Sequence, residues 1–93
     1  MIKSFRCKET EKIFEIGFSK KFPNSIIKNA IMKLAMLNNS KILQDLKIPP
    51  SNHLEKLSGD RKEQYSIRIN DKYRICFYWE SNNAYEVEIV DYH

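Results

Sequence analysis

The sequence predicts an α+β fold, because a helical hydrophobic period in its first half gives way to a two-residue period in its second half. Helices followed by consecutive strands are typical of helices packed on one face of an antiparallel sheet. The chain has 93 residues, which suffice for one small hydrophobic core but not for a second domain. We therefore expect residues 1–93 to form a single domain, with two N-terminal helices on one face of a small twisted antiparallel sheet.

The first helix is predicted over Lys8–Ile16. Acidic residues lie near its start, where they suit the helix dipole, and Gly17 follows as a left-handed C-terminal cap. The second helix is expected to begin with Asn24 or Ser25 as its N-cap and to end at 38–40.

Helical spacing also predicts which face of the second helix is buried. The apolar residues that recur at steps of three and four are Ile27, Ala30, Ile31, Leu34 and Leu37. The opposite face carries Lys28, Asn29 and Lys33, and it is expected to contact solvent or, as the alternative, phosphate.

Beyond the second helix, residues 41–52 form a connector with a short helical turn at 42–46. Leu54 and Leu57 then flank a short strand. Apolar and polar residues alternate along three further segments, 65–69, 73–79 and 85–89, which predicts three half-buried strands of a meander.

The register of the first hairpin follows from the requirement that its odd-numbered apolar residues share the buried face. A three-residue turn at 70–72 pairs Tyr65 with Phe77 and places Arg68 directly opposite Arg74. Like charges directly opposite each other are destabilising unless an anion lies between them, and phosphate is the natural candidate.

The same argument applied to the second hairpin predicts a loop at 80–84. Tyr85 then lies opposite Trp79, and Val90 lies opposite Arg74. The last three residues of the chain are therefore expected to reach the end of the sheet that carries the two arginines.

This arrangement would bring Asp91, Tyr92 and His93 to a cationic patch. The alternative interpretation is that the arginines form surface ion pairs with Glu86 and Glu88 and that the chain end frays. Spacing alone leaves both interpretations open.

Composition indicates the kind of partner. The formal net charge is +4, with +5 over residues 1–40 and −2 over 64–93, and a basic domain of this size suggests a nucleic-acid or ribosomal partner. No apolar run approaches the roughly 18 residues of a membrane span, and no signal peptide is apparent, so we expect a cytoplasmic protein without membrane contact. Cys7 and Cys76 are expected to be reduced, and no spacing of Cys or His indicates a metal or a cofactor.

Four segments carry a resemblance to a known family: LSGDR (57–61), QYSIRIND (64–71), YRICF (73–77) and VDYH (90–93). Together with the opening MIKSF (1–5), they resemble the HigB-type toxins, or plasmid-maintenance killer proteins, of the RelE/ParE toxin superfamily. The resemblance implies a toxin of a type II toxin-antitoxin system with a RelE-like fold. Such a toxin is an endoribonuclease that needs no metal, cleaves translated mRNA in the ribosomal A site and arrests growth.

The resemblance also implies partners. These are the 70S ribosome with its mRNA and a cognate helix-turn-helix antitoxin of the HigA type. DNA would be contacted only indirectly, through the antitoxin.

Catalytic residues are expected at Glu55, Arg74, Asp91, Tyr92 and His93. Arginine suits a phosphate and histidine suits proton transfer near neutral pH, so Arg74, helped by Arg68, is assigned to the scissile phosphate and His93 to general acid or base catalysis. Tyr92 would stack on or orient a base, and Asp91 would hold the histidine or the chain end.

Contacts with RNA or the ribosome are expected at His53, Lys56, Arg61, Lys62, Arg68 and Lys72. Some members of the family have a histidine where this chain has Glu55, and His53 lies two residues earlier. The partner of His93 in proton transfer is therefore left open between Glu55 and His53.

Two other functions fit the same sequence. One is a ParE-like inhibitor of DNA gyrase without nuclease chemistry, and the other is an RNA-binding module that holds phosphate and cuts nothing. The fold alone does not separate them, because function depends on the site.

Overall fold

The computed structural model describes residues 1–91. Two helices precede a sheet of four antiparallel strands in the order β1-β2-β3-β4, which confirms the predicted α+β fold. The elements are α1 (Lys8–Ile16), α2 (Asn24–Asn39), β1 (Glu55–Lys56), β2 (Gln64–Arg68), β3 (Tyr73–Glu80) and β4 (Asn83–Asp91). Three short 3₁₀ turns, Leu43–Lys47, Pro50–Asn52 and Gly59–Arg61, lie between α2 and β2.

The first helix has the predicted bounds. Gly17 adopts the left-handed conformation with φ of 70°, and its N–H donates to the carbonyl of Ile13 at 2.9 Å, so the predicted cap is confirmed. The second helix begins one or two residues earlier than predicted, since Pro23 occupies the N-cap position and neither Asn24 nor Ser25 caps it.

The buried face of α2 differs from the prediction. Ile31 is 39% exposed, whereas Lys33, which was expected to face solvent or phosphate, is only 7% exposed. The buried stripe is Ile26, Ala30, Lys33, Leu34 and Leu37. This stripe also satisfies helical spacing, and the connector decides between the two, because Lys33 donates a hydrogen bond to Asn52 there.

The β2–β3 hairpin has the predicted register. Tyr65 pairs with Phe77 and Arg68 with Arg74. Asn70 closes the turn, since its Oδ1 accepts hydrogen bonds from the backbone N–H groups of Lys72 at 2.9 Å and Tyr73 at 2.8 Å.

The β3–β4 hairpin corrects the predicted loop. The strands are joined by a two-residue turn, Ser81 and Asn82, whose φ angles are 51° and 62°, and Tyr85 pairs with Tyr78 rather than with Trp79. An extra residue in β4 then restores the predicted register by a β-bulge at Glu86, whose φ is 52°. Val90 therefore lies opposite Arg74 as predicted.

The core lies between the helices and one face of the sheet. The helices contribute Ile13, Ala30, Leu34 and others, and the sheet contributes odd-numbered residues such as Ile67, Ile75, Phe77, Val87 and Ile89. The N-terminal residues lie parallel to β4, with Ile2 bridged to Ala84 and Phe5 to Val87. No helix within residues 1–91 is long and apolar enough to cross a membrane. Because one face of the sheet packs against the helices in the core, a functional site is expected on the opposite face of the sheet.

Candidate active site

The face of the sheet opposite the core carries a row of polar residues that crosses all four strands. Glu55 pairs with Ser66, Ser66 with Cys76, and Cys76 with Glu88. Ser66 and Cys76 in the middle of the row are fully buried. The next row along the strands contains Arg68, Arg74 and Val90, so the site is built on adjacent rows of rigid strands.

Arg74 lies on this face, is held there by several hydrogen bonds, and is 8% exposed. Its Nε donates to the hydroxyl of Ser66 at 2.8 Å, and its Nη2 donates to the backbone carbonyl of His53 at 2.5 Å. The carboxylate of Glu55 lies 3.8 Å from the same Nη2. The guanidinium is therefore fixed in direction before any substrate arrives, which is the condition for efficient charge stabilisation.

Arg68 lies opposite Arg74 in the register but takes a different partner. Its guanidinium pairs with Asp71 in the turn, whereas Arg74 pairs with Glu55. Glu88, which the alternative interpretation assigned to these arginines, is paired with Arg6 at 3.3 Å and Arg61 at 3.5 Å. Separate carboxylates thus reduce the repulsion that the register alone implies.

The end of β4 reaches the arginine end of the sheet. Val90 pairs with Arg74, and Asp91 pairs with Tyr73. The carboxylate of Asp91 lies 3.6 Å from the ammonium of Lys72. Tyr92 and His93, the other two predicted catalytic residues, lie outside the described residues.

The predicted RNA contacts Arg61, Lys56 and Lys62 lie at different places on the surface. Arg61 borders a polar cavity of about 310 Å³ on the site face, together with Arg6, Asp60, Gln64 and Glu88. Lys56 pairs with Tyr65 in the β1–β2 register, so it lies on the opposite face of β1 from Glu55. Lys62 is exposed just after the Gly59–Arg61 turn.

His53 contributes to the site through its backbone. The side chain is exposed, while the residue adopts φ of 45° and turns its carbonyl toward Arg74. Sequence reasoning missed this role, and it also missed Ser66. The signal for Ser66 was present, because the predicted pairing of Arg68 with Arg74 places Ser66 two residues away on the same face.

The titration of Cys76 limits what it can do chemically. Burial raises the pKa of its thiol, so the group stays protonated near neutral pH and is a poor nucleophile. Within residues 1–91, no group of three or more His, Cys, Asp or Glu side chains is arranged to hold a metal ion. Among the described residues of this face, the fixed cation of Arg74 lies beside the half-exposed carboxylate of Glu55.

Comparison with known protein families identifies a matching family and several relatives of this chain. The profile described as "RelE-like toxin of type II toxin-antitoxin system HigB" matches residues 3–93. Toxin HigB-1 of Vibrio cholerae is 38% identical over 80 residues, which cover 85% of this chain and 84% of that protein. Endoribonuclease HigB of Proteus vulgaris is 29% identical over 93 residues, the full length of both. An uncharacterized protein of Haemophilus influenzae is 40% identical over 64 residues, but the match spans only 63% of that protein.

Solved structures confirm the architecture. A chain of the YoeB-YefM complex from Staphylococcus aureus superposes with a TM-score of 0.61 over 100% of this chain and 98% of that chain, at 15% identity. A likeness at this identity concerns the fold alone. The family match extends over nearly the whole sequence and confirms the resemblance: the chain belongs to the HigB-like family of RelE-like toxins of type II toxin-antitoxin systems.

Proposed function

We propose that this toxin is a metal-independent endoribonuclease that cleaves translated mRNA in the ribosomal A site and thereby arrests growth. The observation that carries the proposal is the fixed guanidinium of Arg74, held by Ser66 and His53 beside the carboxylate of Glu55. Arginine with this degree of orientation suits a phosphate whose charge increases during the reaction. The name of the relative from Proteus vulgaris, Endoribonuclease HigB, agrees with this chemistry.

Cleavage of RNA without a metal requires three groups. A base removes the proton of the 2′-hydroxyl, an acid protonates the leaving 5′-oxygen, and a cation stabilises the charge on the phosphorane. Arg74 is the cation, and His93 is the acid or the base. Tyr92 stacks on or orients a nucleobase, and Asp91 holds His93 or the chain end.

The second proton-transfer group is chosen between Glu55 and His53. Glu55 is favoured, because its carboxylate lies 3.8 Å from Arg74 while remaining half exposed to a substrate. His53 contributes its carbonyl to Arg74, which commits its backbone to the site while its ring faces solvent.

Binding of RNA and ribosome is assigned to the basic residues around this centre. Arg68 and Lys72 are each paired with an aspartate, Asp71 and Asp91 respectively, and such exposed pairs exchange readily for a phosphate. Arg61, at the polar cavity, extends the surface along the same face. Lys56, Lys62 and His53 are expected to contact the ribosome or RNA at the edge of the sheet.

The antitoxin partner is proposed to be a helix-turn-helix protein of the HigA type, through which the toxin contacts DNA only indirectly. Membership of a type II toxin-antitoxin family supports an antitoxin of some kind. The proposed site of action is the ribosome in the cytoplasm.

Ribosome dependence is tested with purified toxin and a defined mRNA. We expect cleavage within codons of the reading frame when the mRNA is bound to 70S ribosomes, and at least about 100-fold slower cleavage of the same mRNA alone, because the ribosome orients the substrate. Cleavage of free mRNA at an equal rate would contradict the ribosomal part of the proposal. Intact mRNA together with inhibited DNA gyrase would favour the ParE-like function.

A further inference from the structure

A fully buried amide joins the second helix to the connector. The side chain of Asn52 is 0% exposed, and its Nδ2 donates to the carbonyls of Leu46 at 3.1 Å and Ile48 at 3.5 Å. Its Oδ1 accepts a hydrogen bond from the ammonium of Lys33 on α2. Every polar atom of the amide is therefore engaged, and all of these partners belong to segments that precede the sheet.

Lys33 is an unusual hydrogen-bond partner for the buried amide of Asn52. Burying an ammonium group is costly unless it is compensated, and burial, together with the nearby charge of Arg68, lowers the pKa of Lys33. A neutral apolar residue would fill the same stripe of α2 without that cost. The contact with Asn52 is the compensating interaction that the structure provides.

The residue after Asn52 reaches the candidate active site. The backbone N–H of Asn52 donates to the carbonyl of Pro49 at 2.9 Å, and that of His53 donates to the carbonyl of Pro50 at 3.0 Å. His53 adopts φ of 45°, a left-handed conformation that is uncommon for residues other than glycine. In this conformation its carbonyl accepts the hydrogen bond from Nη2 of Arg74.

We propose that Asn52, held by Lys33, is a positioning residue that sets the direction of the Arg74 guanidinium through the carbonyl of His53. A continuous series of contacts carries the effect, from Lys33 on α2 to Asn52, through one peptide unit to His53, and on to Arg74 on β3. Asn52 itself is fully buried and touches no substrate. The role in cleavage rests on the proposed function, in which Arg74 acts on the scissile phosphate.

The expected effect is on the chemical step. Loss of the Lys33–Asn52 contact frees the backbone around His53, including the His53 carbonyl, and Arg74 then points in a wider range of directions. Small misplacements of a catalytic group cost up to about 100-fold in rate. We expect Asn52→Ala and Lys33→Met each to lower kcat for ribosome-dependent cleavage by about 10- to 100-fold, with KM changed less than about threefold.

The direct readout is the Nε–H group of Arg74, which donates to the buried hydroxyl of Ser66. Its exchange with solvent, measured by NMR, is expected to accelerate at least about 10-fold in Asn52→Ala and in Lys33→Met. Ser19→Ala is the matched control, because Ser19 is a buried residue between α1 and α2 whose hydroxyl donates to Glu9 on α1. That variant should leave both the exchange and kcat unchanged.

A double-mutant cycle separates positioning from general loss of stability. Combined with Arg74→Lys, the changes at Asn52 and Lys33 should cost little further activity, since the group that they position is already altered. Should Asn52→Ala fail to fold, the double-mutant cycle and the exchange measurement are made with Lys33→Met. That change preserves the hydrogen bonds of the Asn52 amide nitrogen.

Two results would overturn the proposal. One is unchanged exchange of the Arg74 Nε–H in the variants. The other is a double variant whose loss in kcat equals the full product of the losses of its two single variants. Failure of the proposed function has a different signature. In that case Arg74→Ala cleaves as fast as the unaltered protein, or the unaltered protein does not cleave, while the exchange measurement still reports whether Asn52 positions Arg74.

Discussion

Arg74→Ala is expected to lower ribosome-dependent mRNA cleavage by about 100- to 1,000-fold, the usual effect of removing one oriented donor from a developing anion. Arg74 is 8% exposed and its guanidinium is held by Ser66 and His53. Neither water nor a neighbouring side chain therefore easily replaces it. The measurement is the single-turnover rate of cleavage on ribosomes loaded with a defined mRNA.

The same change also affects stability. It leaves the Ser66 hydroxyl and the His53 carbonyl without a buried partner, which costs about 1–3 kcal/mol, so thermal unfolding accompanies the rate measurement. Lys12→Ala is the matched control, because Lys12 is a half-exposed cation that pairs with Glu9 on α1; its rate should stay within about threefold. Cleavage by a folded Arg74→Ala protein at the normal rate would remove Arg74 from the mechanism.

His93→Gln is expected to reduce cleavage by about 100- to 10,000-fold, the range that general acid–base catalysis supplies. Glutamine can form hydrogen bonds but cannot exchange a proton near neutral pH as histidine does. Binding to the antitoxin, measured by co-purification, should be unchanged. If cleavage and antitoxin binding were lost together, the residue would be structural rather than catalytic.

Local rules predicted a large part of the fold. The β2–β3 register follows from the parity of its apolar residues, because a slip by one position would turn Ile67 and Ile75 away from the core. The bounds of α1 follow from Gly17, whose positive φ ends the helix. In these elements, local preference and core packing favour the same structure.

Other features depend on contacts that are distant in sequence. The bulge at Glu86 has no glycine to indicate a positive φ, and it is stabilised by the N-terminal segment, where the Ser4 hydroxyl accepts the backbone N–H of Glu86. The burial of Lys33 depends on Asn52, 19 positions later. Helical periodicity contains no information about such a partner.

The candidate site also combines features that the sequence predicts with features that depend on contacts distant in sequence. The pairing of Arg74 with Arg68 and with Val90 was predictable from strand register. The hydrogen bond from Arg74 to the carbonyl of His53 was not, because it depends on the left-handed conformation of a residue in an irregular connector. The catalytic roles of Arg74, Glu55, Asp91, Tyr92 and His93 stay predictions.

Ribosome-dependent cleavage is tested most directly by mapping new 5′ ends across cellular RNA after the toxin, or its Arg74→Ala or His93→Gln variant, is induced in a bacterial host. We expect new ends confined to translated regions with the unaltered toxin, and none with either variant. Growth arrest without new RNA ends would contradict this expectation and indicate a ParE-like action on gyrase. New ends spread equally over untranslated RNA would contradict the ribosome dependence.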